Sequence, residues 1–499
     1  MNSIISSQRI TNLNDEKINS NGKFVLYCMI STRRLKWNFG LKFAVEKAKE
    51  LKKPLIVIES LNIDHKWASD RIHNFVINGM LNNRTDFEDT PITYIPFVET
   101  KINQGKGLLK NLSDLSSLVI IDDFPTYLPK IVVNRIAPKL PVMTIAVDSN
   151  GILPMKLAGK ECTTAHSFRR FTHKNLLLFI ENEIFKDKMP NMKGLEKLSN
   201  DELNEIFRDI DFETTPLEWL WRASQPDDIG INALSSIDID HEVYPVNSLI
   251  GGSNNAMEKM NSFIDNKLDN YSEDRNKPSK KATSGLSPWL HFGHISTHEI
   301  VFNILTKEKW DPSLINEDRI GSRYGWWGLS ESAEEYLDQL ITWRELGFNF
   351  AYFRKDHTNW TSLPKWAQES LEKHSLDYKE ETYTFEDLEA SKTSDPIWNA
   401  AQNQLIREGI IQNYLRMLWG KKILQWAPDA KTAMNWMIKL NDRWALDGRD
   451  PNSYTGIFWV LGRHDRAWFE RPIFGKIRYM TSNSTKRKYK LDEYLKTYG

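Results

Sequence analysis

The 499 residues predict a two-part protein: an α/β domain built as a doubly wound, Rossmann-like parallel sheet, then an all-α domain. Three observations carry this. Short apolar runs alternate with helical patterns through the first third of the chain. Helical periodicity dominates from residue 256 onward. The aromatic residues, 18 tryptophans among them, gather in the second half.

In the first part, FVLYCMI (24–30) reads as a buried strand and FGLKFAVEKAKELKK as the amphipathic helix after it. PLIVIES (54–60) is the next strand, RIHNFVINGMLNN a helix, and PITYIPFV (91–98), SLVIIDD (117–123) and PVMTIAVD (141–148) are further strands. Strand, helix, strand at this spacing is the mark of parallel crossover units. Ligands bind such sheets at the carboxyl ends of the strands, yet no GxGxxG follows the first one. The expected division is 1–165 for this domain, 166–255 for a polar, turn-rich connector, and 256–499 for the helical domain.

Composition narrows the classes. With 40% hydrophobic and 26% charged residues the chain is an ordinary globular protein. Lys+Arg and Asp+Glu both number 66, so a polyanionic partner requires positive charge concentrated on one face. From Arg471 on, basic residues outnumber the acidic pair Asp492 and Glu493. Two distant cysteines, Cys28 and Cys162, exclude a disulfide framework and a thiolate metal cluster, and no metal is expected. No apolar run reaches membrane-span or signal-peptide length, so a cytoplasmic protein is expected.

Four stretches carry chemistry. In the first, Tyr271, Arg275, Asn276 and Pro278 precede TSGLSPWLHFGHIS (283–296). Thr283, Ser284 and Ser287 supply hydroxyls, Gly285 permits close backbone approach, and Pro288 stands at a helix start, which together suit a diphosphate or a plain capped turn. In the second, DQLITWRELGFNFAYF (338–353), Asp338, Gln339, Trp343 and Asn349 interrupt a core-like helix, with Gln339 and Trp343 on one side. In the third, WNAAQNQLIREGIIQNYLRMLWGKKILQW (398–426), Asn413 and Met417 share a face and Arg416 needs an anionic partner. Trp419 and Trp426 lie two turns apart there, a spacing that serves core packing or electron hopping. In the fourth, 440–480, the turn LDGRDPN offers Asp447 and Asp450 around Arg449, with Asp447 the candidate partner of Arg416. Trp459, Trp468, Phe469 and Phe474 then interleave with Arg466, Arg471, Lys476 and Arg478, the composition of a nucleic-acid face.

Taken together and in order, YxxxRNxP, LSPxLHFGxIS, WREL, WNAAQ, LRMxWxKKILxW, LNDxxxLDGRDPN and ERPxFGKIRYM resemble the photolyase/cryptochrome family, most of all the class II cyclobutane pyrimidine dimer photolyases. The resemblance implies an FAD-binding helical domain and light-driven electron transfer to a flipped-out dimer in UV-damaged DNA. The implied cofactor residues are Tyr271, Thr283, Ser284, Gly285, Leu286 and Ser287 for ribityl and diphosphate. Trp343, Asn349, Arg416, Asn441, Asp447, Gly448 and Arg449 are implied around the flavin. Trp398, Trp419 and Trp426 match electron-transfer tryptophans, with Tyr383 as a terminal donor. Arg275, Asn276, Gln339, Trp343, Asn413, Met417 and Trp459 match lesion-pocket positions, and Arg466, Trp468 and Arg478 match a DNA surface.

Two departures qualify the likeness. Gln339 stands where photolyases acting on cyclobutane dimers typically carry a glutamate, which predicts slower repair or another lesion. Six-four repair is not expected, because Asn413 and Met417 occupy the helix where those enzymes carry histidines. STRRLKWN (31–38) and DSNGILP (148–154) also differ from the usual patterns. The resemblance leaves room for an antenna chromophore of the deazaflavin type, with Arg33, Trp37 and Asp148 as candidates. The alternative is a cryptochrome-like blue-light receptor that keeps FAD and the tryptophans without repair. Retained pocket aromatics, the basic C-terminal face and an ending about twenty residues after KIRYM favour repair; a monomer is expected.

Overall fold

The computed structural model describes residues 5–185, 188–225 and 232–499. They form two compact units made of interleaved segments. One unit holds residues up to 157, 176–260 and 286–305, and the other 158–175, 261–285 and 306–499. The stretch 166–255, expected as a connector, thus gives its first ten residues to the helical unit and the rest to the α/β unit. Its residues 186–187 and 226–231 lie outside the described residues.

The α/β unit is built on six strands: β1 (Ile10–Asn12), β2 (Phe24–Cys28), β3 (Leu55–Leu61), β4 (Thr93–Val98), β5 (Ser116–Asp122) and β6 (Thr144–Val147). Their order is β1-β6-β5-β2-β3-β4. All neighbours run parallel except β1, which lies antiparallel to β6. Five of these strands match the expected runs; β1 is additional. Along β2 the side chains alternate between two cores: Phe24, Leu26 and Cys28 face one, and Val25 and Tyr27 the other. Both faces are covered, as a parallel sheet requires.

The strand order reverses between β2 and β5, the place where open α/β sheets bind ligands. Asp122, at the end of β5, occupies that position with its own chain. Its carboxylate accepts the backbone N–H groups of Ile30, Ser31 and Thr32 at 2.8–2.9 Å and the Tyr27 hydroxyl at 2.6 Å. Arg33 lies 3.2 Å from Glu59, Trp37 is buried, and Asp148 accepts from the backbone of Asn150 and Met155.

The second unit is helical. Its central helices are Pro396–Glu408, Asn413–Trp426, Ala430–Trp444 and Pro451–Val460. Each starts on a side-chain cap: Asp395, Gln412, Asp429 and Asp450 accept from backbone N–H groups of the first turn. The Glu331–Phe353 segment is not one regular helix. Residues Asp338–Trp343 form a wide π turn between two α-helical parts, with the Arg344 N–H reaching back to the Gln339 carbonyl. Such turns insert an extra residue into a helix and are frequent at functional sites. Among the described residues no helix is long and apolar enough to cross a membrane.

Candidate functional site

The helical unit brings the third and fourth stretches together. Arg416 pairs with Asp447 at 3.1 Å, and its other terminal nitrogen lies 3.2 Å from Asn441 Oδ1. Asn441 donates to Ser453 Oγ at 2.9 Å and to Asp442 Oδ1 at 3.1 Å. Asp442 also accepts from the Arg449 backbone N–H and from the Tyr454 hydroxyl. Burial pushes the Asp442 carboxyl up, opposed by the Arg449 guanidinium beside it. Three helices are therefore tied at one point by a polar network.

The helix that carries Arg416 also carries Trp419 and Trp426. The Trp419 indole donates to Gln402 Oε1 at 2.8 Å, and the Trp398 indole donates to the Trp419 carbonyl at 3.0 Å. Trp398 meets Trp426 edge-on with ring centroids 5.5 Å apart, and Trp426 meets Tyr383 at 5.1 Å. All three indoles are buried, whereas Tyr383 is half-buried and its oxygen accepts the Ser394 N–H. The contacts form a ladder from core to surface. Edge contact between Trp398 and Trp426 replaces the direct Trp419-to-Trp426 step that helical spacing suggests.

A second face gathers on the wide turn. Trp343 lies edge-on to Trp459 at 6.2 Å, and Arg478 stands over Trp459 at 5.5 Å and over Trp468 at 4.5 Å. Arg466 also covers Trp468, and Asp465 anchors Arg478 at 3.1 Å. Phe469 beyond them is 89% exposed. Gln339 is half-buried, and its amide makes no hydrogen bond among the described residues. Its neighbour Asp338 is held by Arg169 through two hydrogen bonds at 2.7 and 3.0 Å.

Tyr271 is buried against Phe263 and Tyr336, and burial pushes its phenol up. The stretch 283–287 crosses from the helical unit to the α/β unit after Gly285, which takes a φ of +69°. Thr283, Ser284 and Ser287 are half-buried, Leu286 is buried, and the short helix begins at Ser287 with Pro288 in its first turn.

Several expected residues also have partners within the protein. Arg275 pairs with Glu335, which also takes Arg323 and the Tyr324 hydroxyl, while Asn276 is half-buried beside it. Asn349 accepts the Cys162 N–H and donates to the Lys160 carbonyl. Arg449 turns into its own loop, where its guanidinium donates to the carbonyls of Asp442, Ala445 and Leu446. Gly448 sits where a Cβ would stand 2.8 Å from the Asn441 carbonyl. Asn413 is exposed at the start of its helix, while Met417 on the same side is buried.

Residues not singled out in sequence complete the site. Gln402 belongs to WNAAQ, is fully buried, and keeps its Nε2 without a hydrogen-bond partner. Gly456, half-buried and one turn beyond Ser453, would meet nothing within 4 Å of an added Cβ apart from its chain neighbours and its own helix backbone. Among the described residues no cluster of His, Cys, Asp and Glu could hold a metal ion.

No protein-family model matches the chain. Solved structures share its fold. A class III photolyase from Agrobacterium tumefaciens gives a TM-score of 0.63 at 16% identity over 96% of this chain and 86% of its own. A Synechocystis cryptochrome gives 0.65 at 14% identity over 95% and 88%. An archaeal photolyase from Sulfolobus tokodaii with two FAD molecules gives 0.64 at 14% over 95% and 89%. At these identities the likeness is one of fold: that of photolyases and cryptochromes. Curated relatives go further. The deoxyribodipyrimidine photo-lyase of Methanothermobacter thermautotrophicus is 32% identical over 99% of this chain and 98% of its own length. That of Arabidopsis thaliana is 30% identical over 94% and 88%. The chain belongs to the photolyase/cryptochrome family.

Proposed function

We propose that this chain is a DNA photolyase of class II character, an FAD enzyme that splits cyclobutane pyrimidine dimers in UV-damaged DNA under blue light. Near-full-length relatives named deoxyribodipyrimidine photo-lyase support the reading. The observation that carries it is a pairing within one helical unit. An aromatic ladder (Trp419, Trp398, Trp426, Tyr383) begins on the helix that also carries Arg416, the partner of Asp447 and Asn441, and an aromatic, basic face (Trp343, Trp459, Arg478) stands in the same unit.

Two features fit a large cofactor beside that network. Gln402 Nε2 is a buried donor without a partner, which costs about 1–3 kcal/mol if nothing accepts from it. Gly456 leaves open space beside its backbone, so a ligand can approach there. Arg416, Asp447 and Asn441 would hold the flavin ring, and Tyr271 with Thr283–Ser287 the ribityl and diphosphate. When bound, reduced FAD supplies a photoexcited electron donor.

The protein's own groups divide the remaining work. Asn441 has its amide orientation fixed by Ser453 and Asp442, so it presents one defined hydrogen-bonding edge. The Arg416–Asp447 pair, about 15% exposed on each side chain, keeps a strong dipole at the site. Trp343 and Trp459 offer apolar walls to a flipped dimer, whose extrusion costs less than that of a normal pair. Arg466 and Arg478 supply positive charge for phosphates. Gln339 can donate a hydrogen bond to a pyrimidine carbonyl but cannot give up a proton, so repair is slower than with a carboxyl there.

The test is direct. Photoreduced protein is mixed with a dimer-containing oligonucleotide under blue light, and recovery of thymine absorbance is followed. Recovery supports repair; none on either single or double strands overturns it. The completeness of the aromatic ladder favours a second reading, a blue-light receptor without repair. In that case the same sample photoreduces but leaves the dimers intact.

A further inference from the structure

The ladder carries a charge that its role as a conductor does not require. Lys422, on the Asn413–Trp426 helix, holds its Nζ 5.0 Å from the centroid of the Trp426 ring. Trp426 is 1% exposed, so water screens that charge poorly. The nearby anion is Asp395, 3.2 Å from Lys422 Nζ. Its carboxylate is shared with the N–H groups of Ile397 and Trp398 and with the Ser482 hydroxyl. A second lysine, Lys379, donates to the Ala427 and Pro428 carbonyls just past Trp426. Trp426 is therefore a rung with an ammonium group over its ring.

We propose that Lys422 is a rectifier for the ladder: its charge disfavours an electron vacancy on Trp426 and drives it onward to Tyr383. This rests on the reading of Tyr383 as terminal donor. A vacancy entering through Trp419 and Trp398, generated by a light-excited oxidised flavin, makes Trp426 a radical cation. An electron then passes from Tyr383 to Trp426, and the phenol proton leaves to water at this half-buried side chain. Trp426 returns to its closed-shell form and Tyr383 becomes a neutral radical. Return requires recharging a ring that already faces an ammonium group, so the step runs outward. An ammonium group is attracted to the face of a neutral indole, and a ring made positive replaces that attraction with repulsion.

The test needs neither light nor flavin. Azidyl radicals generated by pulse radiolysis oxidise indoles in the full-length protein, and the indole-radical and phenoxyl-radical absorption bands are followed in time. The phenoxyl signal absent from Tyr383→Phe defines the contribution of that tyrosine. Lys422→Met is expected to shift the ratio of Tyr383 to indole radical down about tenfold, the Asp395 carboxylate offsetting part of the ammonium's field in the parent protein. Lys422→Arg is expected to restore it, which a merely structural role would not do. A Tyr383 signal unmoved by Lys422→Met, or lowered equally by Lys422→Arg, overturns the rectifier. A phenoxyl signal unchanged in Tyr383→Phe overturns the terminal-donor reading itself, and the rectifier with it.

Discussion

The indole N–H of Trp398 donates to the main-chain carbonyl of Trp419 at 3.0 Å, joining two rungs of the ladder through a hydrogen bond as well as by proximity. Trp419 in turn donates to Gln402, on the same helix as Trp398. Each ring orientation is thus set by the other's helix. Trp419→Phe is expected to abolish light-driven reduction of the bound cofactor while leaving repair by chemically reduced protein within about twofold. It also leaves Gln402 Oε1 without its donor, so a loss of about 1–3 kcal/mol should appear in denaturant unfolding. Unimpaired photoreduction would remove Trp419 from the ladder.

Gln339 gives the sharpest test of the lesion side. Gln339→Glu is expected to raise the repair quantum yield, because a carboxyl can share a proton with a pyrimidine carbonyl where an amide cannot. The readout is thymine recovered per absorbed photon. A yield equal to that of the parent would take residue 339 out of the pocket.

Lys421 predicts a pH dependence of stability. Its buried Nζ donates to the Val460 carbonyl at a helix end. Burial pulls its pKa from 10.5 down to about 7, with Asp465 raising it and Arg478 lowering it further. Between these two values the unfolded chain binds a proton that the folded chain does not, so stability rises with pH across that window. Below about 7 both states are charged and the full burial cost remains. Lys421→Met should therefore be favoured most at acid pH, an advantage that shrinks as pH climbs toward 10.5. Melting curves of both proteins across this range give the comparison, and parallel pH profiles would refute it.

The aromatic, basic face should bind DNA in a salt-dependent way. Arg466→Ala is expected to weaken undamaged and damaged duplexes alike and to lower the slope of log affinity against log salt by about 1. Trp459→Ala, by contrast, should lose mainly the preference for the dimer, by about 1–3 kcal/mol. Fluorescence anisotropy titrations at several salt concentrations separate the two. Equal effects on both ligands would deny Trp459 a place against the lesion.

Much of this architecture was legible in residue pattern. Five strands announced themselves as apolar runs, because a sheet covered on both faces needs side chains of one kind throughout. β1 did not: it is three residues long, half exposed, and depends on Arg9 beside it, which reaches the Asp148, Gly151 and Ile152 carbonyls and Glu183. The wide turn at Asp338–Trp343 also escaped notice, since apolar spacing cannot reveal one added residue in a helix. Within the site, Arg416 and Asp447 could be paired from charge and burial alone. The backbone carbonyls that Asn349 and Arg449 reach are not legible in the same way, because residue pattern does not say which carbonyl a buried amide or guanidinium meets. Gln402 and Asp442 carry no pattern of their own, since one amide or carboxylate on a helix reads alike whether its side chain is buried or solvated.

Gly456 bears on a different property, the margin between stability and activity. A glycine inside a helix is about 1 kcal/mol less favourable than alanine, and here the surrounding atoms would admit the methyl group without displacement. The helix that also carries Ser453 and Trp459 is thus weaker than its own packing allows. An engineer seeking a sturdier protein would change this position early, and would be trading thermal tolerance against room at the site.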